Sequence, residues 1–174
     1  MTANIVAIRP MTEDDIPWVA AQEKRIFSDP WPASAFKDSM RMAQVLNILA
    51  IDQYKRPCGY LCAQVVADEI QIHNVAVLPD FRRLGIGSRL LEEAEGFART
   101  HGAVCSILEV RIDNEPAIAM YKHLGYERIG RRRNYYRSPV CDALVLFKIF
   151  DDADDDETTD DSLTELEKTD GMVS

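Results

Sequence analysis

The sequence predicts a single α/β (α+β) domain on a mixed central sheet, with elements in the order β-α-α-β-β-β-α-β-α-β-β over residues 1–150. Three observations lead there. Strand-like runs at Val45 to Ile51, Gly59 to Val66 and Ile70 to Leu78 follow one another across turns too short for anything but an antiparallel meander. From Gly85 the pattern changes, and Ile86, Leu90, Leu91, Ala94, Phe97 and Ala98 recur at helical spacing until His101-Gly102. A helix joining two strands of one sheet is a crossover, so the strands before and after it lie parallel. A chain of 174 residues, 47% of them hydrophobic, can bury one substantial core.

The remaining elements follow in order. Ile5 to Arg9 alternates as a first strand, and Thr12-Glu13-Asp14-Asp15 reads as a capping box that opens a helix through about Phe27. Asp29-Pro30-Trp31-Pro32 breaks it, and Pro32 suits the first turn of a short second helix reaching about Met40. After the long helix, Val104 to Val110 is a nearly continuous apolar strand. Asn114 then caps a helix through Leu124, which Gly125 stops, and Tyr126 to Arg131 with Ala143 to Ile149 completes the sheet.

Charge and composition exclude several classes. The net charge of −9 is concentrated beyond residue 150, where 151–174 carry eleven acidic side chains and one lysine, leaving the body at +1. Such a tail cannot bury apolar area against its own repulsion and is expected to be disordered, either as a solubilising appendage or as a docking segment for a basic partner. A near-neutral body argues against nucleic acid, and Arg131 to Arg133 on an alternating strand face both ways. No apolar run approaches the roughly 20 residues of a membrane span, and the N-terminus carries no signal-like stretch, so the expected location is cytoplasmic, away from the membrane. Cys58, Cys62, Cys105 and Cys141 lie inside apolar segments without a CxxC pair, which favours reduced thiols over disulfides and implies no metal site.

One segment carries anion chemistry. Arg82-Arg83-Leu84-Gly85-Ile86-Gly87-Ser88 sits where a strand gives way to a helix, so unpaired N–H groups and the positive end of the helix dipole point outward together. The glycines admit close approach of a pyrophosphate. A dinucleotide-binding fingerprint is the competing reading, because Glu109 follows Gly87 at about the right interval. It is undercut by Leu90 at the third glycine position and by the antiparallel strands before it.

These residues resemble a known family. Asn74-Val75-Ala76-Val77, then Arg82-x-x-Gly85-x-Gly87, then Leu108-Glu109-Val110-Arg111, Asn114, Ala117, Tyr121 and Gly125-Tyr126 are similar, in that order, to the GNAT N-acetyltransferase superfamily. Within it, Pro30-Trp31 and Arg132-Arg133-Asn134-Tyr135-Tyr136 resemble the bacterial ribosomal-protein-alanine N-acetyltransferases. The resemblance implies acetyl-CoA as cosubstrate and a protein N-terminus as acceptor, a ribosomal protein in that subfamily. It implies that Val75, Ala76 and Val77 offer main-chain groups to the pantetheine, that Arg83, Leu84, Gly85, Ile86, Gly87 and Ser88 wrap the pyrophosphate, and that Asn114 touches the cofactor. Glu109 would be general base and Tyr121 general acid.

The residues agree with those roles. A peptide ammonium of pKa about 7.7–8.0 must lose a proton before it attacks a thioester, and Glu109, the one acid within an apolar strand, is expected to have its pKa raised by burial into a useful range. Pairing with Arg111 or a neighbouring cation is the structural alternative. Tyr121 lies on the next helix and could protonate the leaving thiolate, or simply pack beside Leu124. Trp31, Tyr135 and Tyr136 are expected to wall a slot for a small, extended N-terminal residue, although they could equally pack a loop. An acceptor that is a lysine or a small amine, and a module that binds the cofactor without turnover, are the alternative functions.

Overall fold

The computed structural model describes residues 5–151, so the predicted disorder of the acidic tail lies outside the described residues. The first strand, β1 (Ile5–Pro10), leads into a 3-10 turn at Glu13–Asp15 and then α1 (Ile16–Ile26). The predicted capping box is closed by the acid: Asp15 accepts from the Thr12 N–H (2.8 Å) and hydroxyl (2.9 Å), while Arg9 of β1 grips its two oxygens at 2.8 Å each. Those bonds, the Arg9 guanidinium first among them, hold the Asp15 carboxyl well below the ordinary carboxylate range.

Next come α2 (Ala33–Met40), β2 (Val45–Asp52), β3 (Pro57–Val66), β4 (Glu69–Val77), α3 (Ile86–Thr100), β5 (Cys105–Arg111), α4 (Glu115–His123), β6 (Glu127–Arg137) and β7 (Val140–Ile149). They form one seven-stranded sheet in the order β1-β2-β3-β4-β5-β7-β6. The meander is antiparallel and the α3 crossover makes β4 and β5 parallel, both as the sequence predicts. The last two strands run longer than predicted, to Arg137 and from Val140, because the chain beyond Arg131 keeps pairing with β7 through Arg132, Tyr136 and Arg137. Among the described residues no helix is long and apolar enough to cross a membrane, and no cluster of three metal-ligating side chains occurs.

Helices cover the two sheet faces unequally. Ile48, Leu61, Ile72, Leu108 and Leu146 pack with Ile86, Leu90 and Leu91 of α3, whereas Leu49, Tyr60, Cys62 and Ala76 pack with Ile16, Val19 and Phe36 of α1 and α2. Residues in β4 change sides midway. Ile70 and Ile72 face α3, but Asn74 lies with Ala76 on the α1 side, because the pairing with β3 slips between Cys62 and Ala63 and leaves His73 as a bulge.

Gly59 on β3 fixes the position of β4 beyond that bulge. A methyl group there would stand 2.9 Å from the Ala76 carbonyl oxygen and 3.3 Å from Ile86, and a backbone oxygen held in a ladder cannot yield. Gly59→Ala is therefore expected to lower Tm by roughly 5 °C through overpacking, measured by thermal denaturation. An unchanged Tm would show that β3 and β4 part more easily than this contact allows.

Candidate active site

The site begins where two parallel strands stop pairing. β4 and β5 are bonded only from Glu69↔Cys105 to Ile72↔Leu108, and beyond that register they diverge. His73–Val77 on one side and Glu109–Arg111 on the other then line a gap with unused backbone edges.

On the β4 edge the period of the ladder selects which groups face the gap. Leu78 N–H bonds Cys58 across β3 at 3.0 Å, and Ala76 lies opposite Tyr60, so Ala76 turns its main chain to β3 and its methyl into the core. Val75 and Val77 consequently point their N–H and C=O groups into the gap, where the Val77 carbonyl already accepts from Arg82 Nε at 3.1 Å. Of the three residues the resemblance implies, two offer main-chain groups and Ala76 serves the sheet.

At one end of this edge the chain curls into α3. Arg83 (φ +60°) and Gly85 (φ +77°) adopt left-handed backbone, and the first helical bond is Arg89 N–H to the Gly85 carbonyl at 3.1 Å. Among the described residues, none of the N–H groups from Arg83 to Ser88 has an acceptor, so six successive donors gather at the positive end of a fifteen-residue helix. That donor set suits a pyrophosphate without further arrangement. Gly87 has a second part besides offering its N–H. A Cβ on it would meet the Met120 sulfur of α4 at 2.9 Å, so its bareness makes room for that side chain, while open space surrounds Gly85.

Across the gap, Asn114 caps α4, its Oδ1 accepting the Ala117 N–H at 3.3 Å, and its amide nitrogen stays exposed at the mouth. Tyr121, one helix face further, is only 5% exposed and meets Tyr126 edge-on at 5.6 Å. No hydrogen bond to its hydroxyl occurs among the described residues, and none of their buried side-chain oxygens lacks a partner, so that hydroxyl is not wholly enclosed. Burial raises its pKa far above the ordinary phenol value, with the nearby Tyr126 and Tyr136 oxygens adding to the shift.

The opposite end of the gap is lined by Trp31, His73, Glu109, Arg132, Tyr135 and Tyr136. The expectation of a dry, isolated Glu109 is corrected. It lies on the less covered face of β5, its side chain 25% exposed, and Arg132 Nε of β6 sits 3.0 Å from its Oε1. Arg111, the partner considered from sequence, instead bonds Asp113 at 3.0 Å and stacks over Tyr136 at 5.0 Å. Of the three aromatics expected in the wall, Tyr135 and Tyr136 meet each other and Trp31 lies beside His73. Three residues of β6 oppose one of β7 between Arg132 and Tyr136, Asn134 at the crest takes φ +50°, and Asp142 accepts its N–H at 2.8 Å. Tyr135 and Tyr136 therefore meet edge-on at 5.1 Å, and Arg132 lies over Tyr135 at 5.7 Å. Burial, with the Tyr135 oxygen and the Glu109 charge, pushes Tyr136 up to about 12.

Two further participants stand out. His73, the bulge residue, lies 5.9 Å from the Trp31 ring; partial removal from water lowers its imidazole pKa, and the Glu109 carboxylate opposes that shift. Glu23, wholly buried on α1, bonds the Trp31 segment. A signal existed for each: the apolar alternation slips phase from Ile70 and Ile72 to Val75 and Val77, and Glu23 falls at i+7 from Ile16 on an otherwise apolar helix face.

A gap between splayed parallel strands, with a helix N-terminus at one end and an aromatic slot at the other, defines an enzyme joining an anionic carrier to a small acceptor. The sequence matches the acetyltransferase (GNAT) family model over residues 15–126, and the chain belongs to that family; it is an N-acetyltransferase. It is 37% identical over 133 residues to the ribosomal protein bS18-alanine N-acetyltransferase of Salmonella typhimurium, covering 76% of this chain and 87% of that one. To the N-alpha-acetyltransferase RimI of Mycobacterium tuberculosis it is 34% identical over 154 residues, covering 84% and 95%. The crystal structure of the ribosomal-protein-S18-alanine N-acetyltransferase from Escherichia coli superposes with a TM-score of 0.76 at 31% identity, over 86% of this chain and 97% of that one.

The anion site has a test in which stability and binding move apart. Ser88→Glu puts a carboxylate at the third helical position, where it favours the helix but competes for the same N–H groups. Tm should hold or rise while the Kd for coenzyme A, read by calorimetry, increases about tenfold or more. Unchanged affinity would move the phosphate site elsewhere.

Proposed function

We propose that this chain transfers the acetyl group of acetyl-CoA to the α-amino group of a protein N-terminus, the acceptor class being the N-terminal alanine of a small-subunit ribosomal protein. The observation that carries the reading is the parted pair β4 and β5, which opens one gap onto both the donor-rich turn at Arg83–Ser88 and the slot of Trp31, Tyr135 and Tyr136. The names of its relatives in Salmonella and Escherichia point to the same acceptor. On this reading the enzyme works in the cytoplasm, where ribosomal proteins are made.

The geometry supports the following roles. Val75 and Val77 receive the pantetheine amides as a further strand would, and the turn into α3 holds the pyrophosphate. Acetyl-CoA supplies the activated acyl group. Glu109 takes a proton from the acceptor ammonium, directly or through water, while Arg132 keeps its carboxylate turned toward the slot. His73 stands beside that path as a neutral imidazole. Tyr121 donates a hydrogen bond, and finally a proton, to the departing sulfur. Its raised pKa keeps it protonated at any working pH, and makes full transfer less favourable than the reference values of about 10 and 8.5 would give. Its main contribution is then the hydrogen bond.

The decisive assay varies the first residue of short peptides at saturating acetyl-CoA. Alanine-first peptides should be turned over best, and a preference for a lysine side chain or a polyamine would overturn the acceptor assignment. Glu109→Gln should reduce turnover roughly 10²–10⁴-fold with little change in acetyl-CoA affinity. The amine loses its proton unaided above its pKa of about 7.7–8.0, so the defect should shrink as pH rises through that range. A defect independent of pH would make Glu109 a structural partner of Arg132. Tyr121→Phe should slow transfer without altering the peptide KM, and normal turnover in it would remove Tyr121 from the chemistry.

A further inference from the structure

A carboxylate buried without a cation is unusual, and Glu23 is one. It is 1% exposed on α1, and no Lys, Arg or His approaches it within ion-pair distance among the described residues. Three donors converge on it instead: the Trp31 N–H at 3.1 Å and Asn74 Nδ2 at 3.0 Å reach Oε1, and the Tyr60 hydroxyl reaches Oε2. Burial raises the Glu23 pKa while those three bonds oppose the shift.

What the three donors have in common is location. Tyr60 belongs to β3, Asn74 to β4 just past the bulge, and Trp31 to the segment between α1 and α2 that walls the slot. Within that segment the run Pro30-Trp31-Pro32 has a single backbone donor, the Trp31 amide, because prolines have no N–H. Glu23 takes that donor. The same Oε1 holds Asn74, whose chain neighbour His73 lies 5.9 Å from the Trp31 ring. One oxygen atom thus ties the wall of the slot to the strand that carries its floor. The segment's other ties, Asp29 accepting the Arg137 N–H at 2.8 Å and Ser28 accepting from Arg111 at 3.2 Å, are exposed to water and correspondingly weak.

We propose that Glu23 is a positioning residue for the acceptor: its carboxylate clamps the Trp31 segment to β4 and thereby sets the width of the slot that receives the acceptor's first residue. The clamp acts on binding and selection of the acceptor and leaves the cofactor half of the gap alone. It rests on the peptide-acceptor reading above, and its consequences can be separated from that reading.

Two substitutions distinguish a clamp from a general structural role. Glu23→Leu keeps volume and removes both oxygens; Glu23→Gln keeps an oxygen for Trp31 and Asn74 and presents its amide nitrogen to the Tyr60 oxygen. Glu23→Leu should raise the KM for an alanine-first peptide about tenfold or more, the scale of a hydrogen bond to a charged acceptor. It should also narrow the ratio of kcat/KM between alanine-first and leucine-first peptides, with the Kd for coenzyme A within about twofold of wild type. Glu23→Gln should restore KM and the ratio to near wild type. Loss of stability alone would reduce the active fraction and leave KM and the ratio unchanged, and that result in folded Glu23→Leu would overturn the proposal, as would equal impairment in both variants. In the wild-type protein itself, hydrogen exchange should find the Trp31 amide protected relative to those of Ser28 and Asp29; exchange as fast as theirs also overturns it, even if Glu23→Leu does not fold. Should the wild type acetylate only a small amine, the peptide-acceptor reading falls, while the clamp is still read from the Trp31 amide and that amine's KM.

Discussion

Everything at the candidate site depends on four residue pairs, Glu69↔Cys105 to Ile72↔Leu108, after which two parallel strands separate. A sheet ordinarily conceals its backbone donors and acceptors in its own ladder. Here the separation leaves an edge in the middle of the sheet, with covering helices close by, so that a ligand can complete the ladder. The α3 crossover that forces β4 and β5 to run parallel also delivers its N-terminus beside the opened edge. On the proposed reading, backbone recognition of the carrier and charge recognition of its phosphates come from one connection.

The bulge at His73 falls where the parting begins. Its slip transfers Asn74 to the α1 face, turns Val75 and Val77 toward the gap, and leaves the imidazole beside Trp31. β6 uses the same device: its bulge at Asn134 brings two adjacent tyrosines into contact where an unbroken strand would send them to opposite faces. Two local insertions therefore place His73 and the paired tyrosines at the proposed acceptor end without adding an element to the fold.

The fold was legible in the sequence because it rests on periodicity and punctuation: the meander's short turns, the helical spacing from Ile86 to Ala98, and Asn114 and Gly125 at the ends of α4. The anion turn was legible for the same reason, since strand, glycine and helix are read locally. The environment of Glu109 was not, because its partner Arg132 is distant in sequence and the two meet only once β7 has inserted between β5 and β6. The resemblance placed Ala76 with the cofactor, whereas ladder phase turns its main chain to β3; Gly87 keeps a free N–H in the donor-rich turn, and what the sequence did not reveal is that Met120 covers its bare Cα. Glu23 was overlooked because an acid on a helix is ordinarily a solvated one, and only tertiary contact shows it to be enclosed.

The bare Cα of Gly87 beneath Met120 puts a soft joint between the donor-rich turn and Tyr121. α3 carries the free N–H groups of that turn and α4 carries Tyr121, and the side chain that fills the space over Gly87 is an unbranched thioether with several rotatable bonds. The seam between the two helices can therefore re-fit when either one moves, where a branched side chain would hold them to a single spacing.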